Sequence, residues 1–306
     1  MKKAMTVTVV FEGDSLNYGE GFGNNLELKK VTRGNGNIHT FISRQALRYD
    51  IVRLGNEWFD WNLDTVDKEE KVVQFKKNVT IEDSVEMDLF GYMRTQSSKG
   101  AMTRNAVARL SHGFSLETYG GEIDFQTNAG LAKRIESGNE IVMADVHKSL
   151  YTYTITLDLG RVGVDKNDGM ELSNEEKFKR VQELLTIIKF LNRHIRGRQE
   201  NLNPLFVIGG VYPIANPFYQ GRVAIRKNDS AFNVEVDLLK EVDDMTFGAT
   251  KIGAQTKVGL AKGFFANEDE LKTYYKEKLS TVDGFFDGVL NDVADYFGVV
   301  NEATSN

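Results

Sequence analysis

Residues Met5 to Phe11 alternate, with Met5, Val7, Val9 and Phe11 on one side and Thr6, Thr8 and Val10 on the other, the period of a β-strand. After a glycine-rich basic loop, Leu47, Ile51 and Leu54 recur at helical spacing, with Arg44 and Arg48 one turn apart on another face. Ser43 is placed to cap that helix. Residues 55–103, with Trp58, Trp61, the DKEEK run from Asp67 and the SSKGAM stretch from Ser97, read as an insertion with short strands. Ala106 to Leu116 and Leu150 to Leu159 are the next predicted strands. In the second, Tyr151, Tyr153, Ile155, Leu157 and Leu159 share a face opposite the threonines. The capping box Ser173-x-x-Glu176 opens a helix whose apolar positions are Phe178, Val181, Leu184, Leu185, Ile188, Leu191 and Ile195. RHIRGRQ, Arg193 to Gln199, ends it, and Leu205 to Val211 is a buried strand.

The resulting order, βαββαβ with long insertions, is the ferredoxin-like or RRM plan of the α+β class. Beyond it come an acidic strand-like segment, Phe232 to Leu239, then the small-residue loop FGATKIGAQTKVG. Two helices follow, around Glu268 to Leu279 and Val282 to Phe297. The expectation is one domain over residues 1–306, with insertions at 55–103 and 117–148 and an acidic extension at 229–306.

Composition narrows the possible chemistry. No cysteine occurs, which excludes disulfides, thiolate metal sites and cysteine nucleophiles. No apolar run approaches the length of a membrane span, so a cytoplasmic protein is expected. The net charge of −6 speaks against a nucleic-acid partner until its distribution is considered: residues 266–306 hold nine acids against three lysines, so the other 265 residues sum to zero. Positive charge clusters at Lys29, Lys30, Arg33, Arg44, Arg48 and Arg53, at Arg94, Lys99, Arg104 and Arg109, and at Lys189, Arg193, Arg196 and Arg198. Three such segments either build one phosphate-tracking stripe or are three solvated faces.

A helix N-terminus flanked by Arg44 and Arg48 suits a phosphate chain, and an ordinary amphipathic helix has the same pattern. GEGFG, Gly19 to Gly23, lacks the Lys-Ser/Thr of a nucleotide loop. His39, His112, His147 and His194 have no metal-ligand spacing, and no G-x-S-x-G or P-loop is present, so no catalytic, metal or cofactor site is expected. Asp14 either shapes a turn ahead of Ser15 or serves as a lone acid. Glu117 to His147 is long for a hairpin and predicts a projecting arm; Met143 and Val146 on its return limb are apolar wedges or hairpin packing.

The string ISRQALRYDIVRLG, preceded by LN and the glycine-rich basic loop, resembles the opening of the backbone subunit of Cascade, the guide-RNA surveillance complex of type I CRISPR systems. It is similar in particular to the DevR group of type I-B systems. LFGYM, AVARLSHGFSLE, YTYTITLDLGRVG and NPLFVIGGVY follow in the same order, so the resemblance covers most of residues 5–230. The RRM signature itself is absent, since Tyr151 to Leu157 lacks the required basic and glycine positions. The family pattern often has a second basic residue where Tyr49 and Asp50 stand here.

The resemblance implies a non-enzymatic subunit that binds the CRISPR RNA in several copies and presents it to target DNA. Its implied partners are further copies of itself, a large subunit, a subunit capping the RNA 5′ end and the RNA-processing endoribonuclease. It places Asn17, Ser43, Arg44, Gln45, Arg48, Arg196, Gly197 and Arg198 at RNA-gripping positions, and the arm at the position of a thumb over the guide. Arg104 and Arg109 join them from the second basic cluster. One alternative is a metal-dependent ribonuclease using Asp14, as in related type III subunits; another is a transcriptional or developmental regulator.

Overall fold

The computed structural model describes residues 3–19, 21, 23–69, 72–96, 100–228 and 231–301. Glu20 and Phe22 of the glycine run, Glu70 and Lys71 of the DKEEK run, Ser97 to Lys99, and Glu302 onward lie outside the described residues. The core elements are β1 (Ala4–Asp14), β2 (Ile38–Ile42), α1 (Arg44–Phe59), α2 (Val85–Phe90), β3 (Ala108–Leu110), β4 (Gly113–Ser115), β5 (Ile123–Thr127), β6 (Ile141–Asp145), β7 (Lys148–Asp158), α3 (Asn174–Lys189), β8 (Asn192–Ile195), β9 (Arg198–Asn201), β10 (Phe206–Tyr212), β11 (Thr256–Leu260), β12 (Leu279–Thr281) and α4 (Val282–Phe297).

β10, β1, β7 and the β3–β4 pair lie side by side and antiparallel. This is the fourth-first-third-second order of a ferredoxin-like core, the fold class expected from the sequence. Two additions widen the sheet. β2 joins the β4 edge and pairs in turn with Lys30–Thr32, so the stretch read as a loop holds a hairpin. β11 joins β10 on the other side, with β12 parallel beyond it. The acidic C-terminal extension is therefore woven into the sheet, and Phe285, Phe286, Val289, Val293 and Phe297 of α4 share one core with α1 and α3.

The threonine face of the central strands is covered as well. Thr154 and Thr156 are buried, and their hydroxyls meet Thr8 at 2.8 Å and Thr6 at 3.4 Å across the sheet. A second apolar cluster, with Val10, Phe206 and Ile208, covers that face of the central strands. In β10 the paired glycines have a steric reason: a Cβ on Gly209 would lie 2.0 Å from the Thr6 carbonyl oxygen.

The single strand predicted over Ala106 to Leu116 is instead two. Leu110 pairs with Ile155 and Phe114 with Thr152, so four steps on one strand oppose three on β7. The extra residue is a β-bulge at Ser111–His112. The predicted α3 is present, capped by Ser173 Oγ accepting from Glu176 N–H at 3.2 Å, but it stops at Lys189. Leu191 lies beyond it, and Ile195 belongs to the β8–β9 hairpin. Arg196 and Gly197 turn that hairpin with φ of 50° and 77°, the type I′ geometry for which glycine carries no Cβ penalty. The described residues of 60–105 form short hairpins around α2 with a small apolar cluster of their own, Val79, Ile81, Met87 and Tyr92.

Candidate nucleic-acid interface

Three side chains from three segments build the first turn of α1. Asn17 Oδ1 accepts Ser43 N–H at 2.9 Å, His112 Nδ1 accepts Arg44 N–H at 3.1 Å, and Ser43 Oγ accepts Ala46 N–H at 3.2 Å. Of the four opening amides, only that of Gln45 has no acceptor among the described residues. Asn17 and Ser43 thus brace the helix start rather than leaving its dipole open. His112 reaches this position because the bulge turns it out of strand register. Burial, with Arg44 and Lys29 nearby, holds its pKa below the ordinary 6.5, so the ring is neutral and Nδ1 keeps the lone pair that the amide needs.

Beside this turn runs a groove of about 540 Å³ in which Arg44, Gln45 and Arg48 of α1 face Arg109 of β3, with Phe90 and Asn105 between them. The structure brings these four expected residues together from two distant segments. They are not equivalent. Arg48 donates to Glu86 at 2.7 Å and lies over the Phe90 ring, whereas Arg44 and Arg109 have no carboxylate partner among the described residues. Asp50 is buried and pairs with Arg193 at 2.6 Å, tying α1 to the β8–β9 hairpin.

Arg104 is corrected. Its side chain is 4% exposed and donates to Asp88 at 2.6 Å and to the carbonyls of Val164 and Arg161, so it is turned into the protein and away from any phosphate. Asp88 also accepts from Arg180 and from Gly163 N–H. Arg94 is likewise buried, on Asp168 and the Val79 carbonyl. The continuous stripe of the three basic clusters breaks up: Lys30, Arg48, Arg53, Arg94, Arg104, Lys189, Arg193 and Arg198 all have acidic partners. Lys29, Arg33, Arg44, Arg109 and Arg196 have none among the described residues, and Lys99 lies outside them.

The second group gathers at the hairpin turn. Arg196 stacks over Tyr18 at 5.2 Å and donates to Gln126 at 2.8 Å, while Arg198 donates to Asp14 at 3.0 Å. Through Tyr18, Asn17 and Ser43 this turn is continuous with the start of α1. Asp14 also accepts from Ser15 Oγ at 2.5 Å, so both carboxylate oxygens are engaged.

The arm consists of β5 and β6, with Ala129–Ala132 helical at its tip. Its base is fixed by Asp145, which accepts from Lys30 at 2.8 Å and from Leu28 N–H at 3.0 Å. Burial raises the pKa of this carboxyl, but Lys30 and the Leu28 and Tyr119 donors bring it below the ordinary value. Met143 and Val146 are half-buried; the more exposed apolar side chains are Ile123, Phe125, Leu131, Ile135 and Ile141. Sequence reading missed these because β5 carries no apolar run, and it missed His112 because a lone histidine in a strand gives no local signal.

No helix among the described residues is long and apolar enough to cross a membrane. No curated protein matches the chain. A chain of a CRISPR RNA-guided surveillance complex superposes with a TM-score of 0.58 at 14% identity, covering 96% of this chain and 99% of that one. A chain of a second such complex, captured before nicking, gives 0.52 at 13%, covering 89% and 100%. At these identities the likeness concerns the fold. The family model "CRISPR-associated negative auto-regulator DevR/Csa2" matches residues 5–219, and the chain belongs to that CRISPR-associated family.

Proposed function

We propose that this protein is the guide-RNA-binding backbone subunit of a type I-B Cascade-like complex, lined up in several copies along one CRISPR RNA and holding it for pairing with target DNA. The observation that carries the reading is the groove in which Arg44 and Arg109, unneutralised by any acid among the described residues, face each other beside the capped start of α1. Phosphate contacts of this kind fix position, while the guide's base pairing supplies sequence selection. Copies of this chain, the large subunit, the 5′-cap subunit and the RNA-processing endoribonuclease are the proposed partners. The proposal includes no cleavage by this chain: Asp14 is occupied by Arg198 and Ser15 rather than turned toward a substrate.

The test is a salt titration of RNA affinity. Arg44→Ala with Arg109→Ala is expected to weaken binding equally for unrelated RNA sequences and to lower the slope of log K against log salt by about one to two. An unchanged slope in a folded double variant refutes the groove as the phosphate site. Magnesium-dependent cuts in complementary RNA, lost in Asp14→Ala, establish the nuclease alternative instead.

A further inference from the structure

Next to the groove, on the far side of the bulge, lies a second recess of about 410 Å³, walled by the β4 and β7 edge of the sheet and by the segment around Gln220. Resting on the RNA-binding reading above, we infer that this recess seats one unpaired nucleobase of the strand whose phosphates occupy the groove. The two cavities share a wall: Leu110 lines one and Ser111 the other, and His112 of the recess holds the N–H of Arg44 of the groove at 3.1 Å. A sugar-phosphate unit on Arg44 and Arg109 therefore stands directly beside the recess.

Its walls have the chemistry of a base site. Phe114, 37% exposed, leans on Phe41 and His112 at centroid distances of 5.5 and 5.9 Å, which steadies an aromatic surface for stacking. The two histidines present opposite functions. His39 Nδ1 lies 2.9 Å from the Ser115 carbonyl and must donate to it, leaving Nε2 as an acceptor. His112 Nδ1 accepts from Arg44, leaving Nε2–H as a donor. Arg33, also in the wall, has no acidic partner among the described residues. Among the described residues no carboxylate lines the recess, which disfavours a cation or an amine, and Arg33 is the single full charge there, fewer than the paired arginines of the phosphate groove. Mixed donors and acceptors around a flat aromatic face match the polar edge and π face of a base.

The test uses the full chain and single-stranded RNA carrying one 2-aminopurine, moved position by position. Wild-type protein is expected to alter the fluorescence sharply at one position of its footprint. Phe114→Ala and the bulk-conserving Phe114→Leu are expected to abolish that signal and to weaken binding roughly five-fold. A position-specific signal that persists in both Phe114 variants, with affinity unchanged, overturns the base seat and leaves the groove assignment standing. No RNA binding by the wild-type chain overturns both.

Discussion

Replacing Asp88 by Asn removes one negative charge from the least exposed ion-pair cluster among the described residues and should be far more damaging than replacing any groove arginine. The Asp88 side chain is fully buried, and both Arg104 and Arg180, at 4% and 2% exposure, bond to it at 2.6 and 3.0 Å. Burial pushes its carboxyl above the usual aspartate range, against the pull of Arg180, Arg104 and the Gly163 N–H. Asn keeps the shape but leaves Arg104 without a counter-charge, leaves Arg180 only the Glu176 carboxylate at 2.8 Å, and forces an amide N–H₂ against donors. Breaking a buried pair costs about 3–5 kcal/mol, against a total stability of about 5–15 kcal/mol for a typical domain. The half-exposed Arg48–Glu86 pair sets the contrast, at about 0–1 kcal/mol. Urea denaturation followed by circular dichroism at constant m-value reads the difference. Arg104→Ala should behave like Asp88→Asn, lowering the unfolding midpoint while leaving the salt slope of RNA binding unchanged in the folded fraction. A loss below about 1 kcal/mol in Asp88→Asn, or a reduced salt slope in a stable Arg104→Ala, would refute the structural assignment of Arg104.

Three further outcomes are expected. His112 and His147 both have folded-state pKa values held below 6.5 by burial, so the unfolded chain takes up protons first; stability is full above about pH 6.5 and falls as the pH drops through that value, which Tm measured across this range will show and a flat profile will contradict. Gly55→Ala should destabilise by about 1–3 kcal/mol despite alanine's roughly 1 kcal/mol advantage in a helix, because the new Cβ would lie 2.3 Å from the ring of Trp61, which is held by Glu183 at 2.7 Å; a stabilised variant would show that the ring yields. Deleting Gly130 to Gly138 removes only the arm tip beyond the β5–β6 ladder and should change chain stability by less than about 0.5 kcal/mol while impairing assembly on RNA, with unaltered nuclease protection of the RNA counting against a thumb role.

What the sequence determined by itself is what depends on neighbours along the chain. The alternation from Met5 to Phe11, the Ser43 and Ser173 caps and the apolar stripes of α1 and α3 all concern residues within a few positions of one another, so their geometry follows from backbone period and local hydrogen bonding. Their order, with the strands read between and after them, is the βαββαβ plan, and the RRM assignment within that plan leaned on the family resemblance. The strands at Ile38–Ile42 and Thr256–Leu260 were not legible in the same way, because each is a strand only by virtue of the sheet edge that meets it, at β4 and β10 respectively. The same holds for the candidate site. Arg44 and Arg104 are equally basic residues in the sequence, yet one faces an open groove and the other is buried on Asp88. Only tertiary structure decided between them, since a charge is neutralised by whatever lies within a few ångströms in space, and the partners of Arg104 are supplied by α2 and by the loop that follows β7.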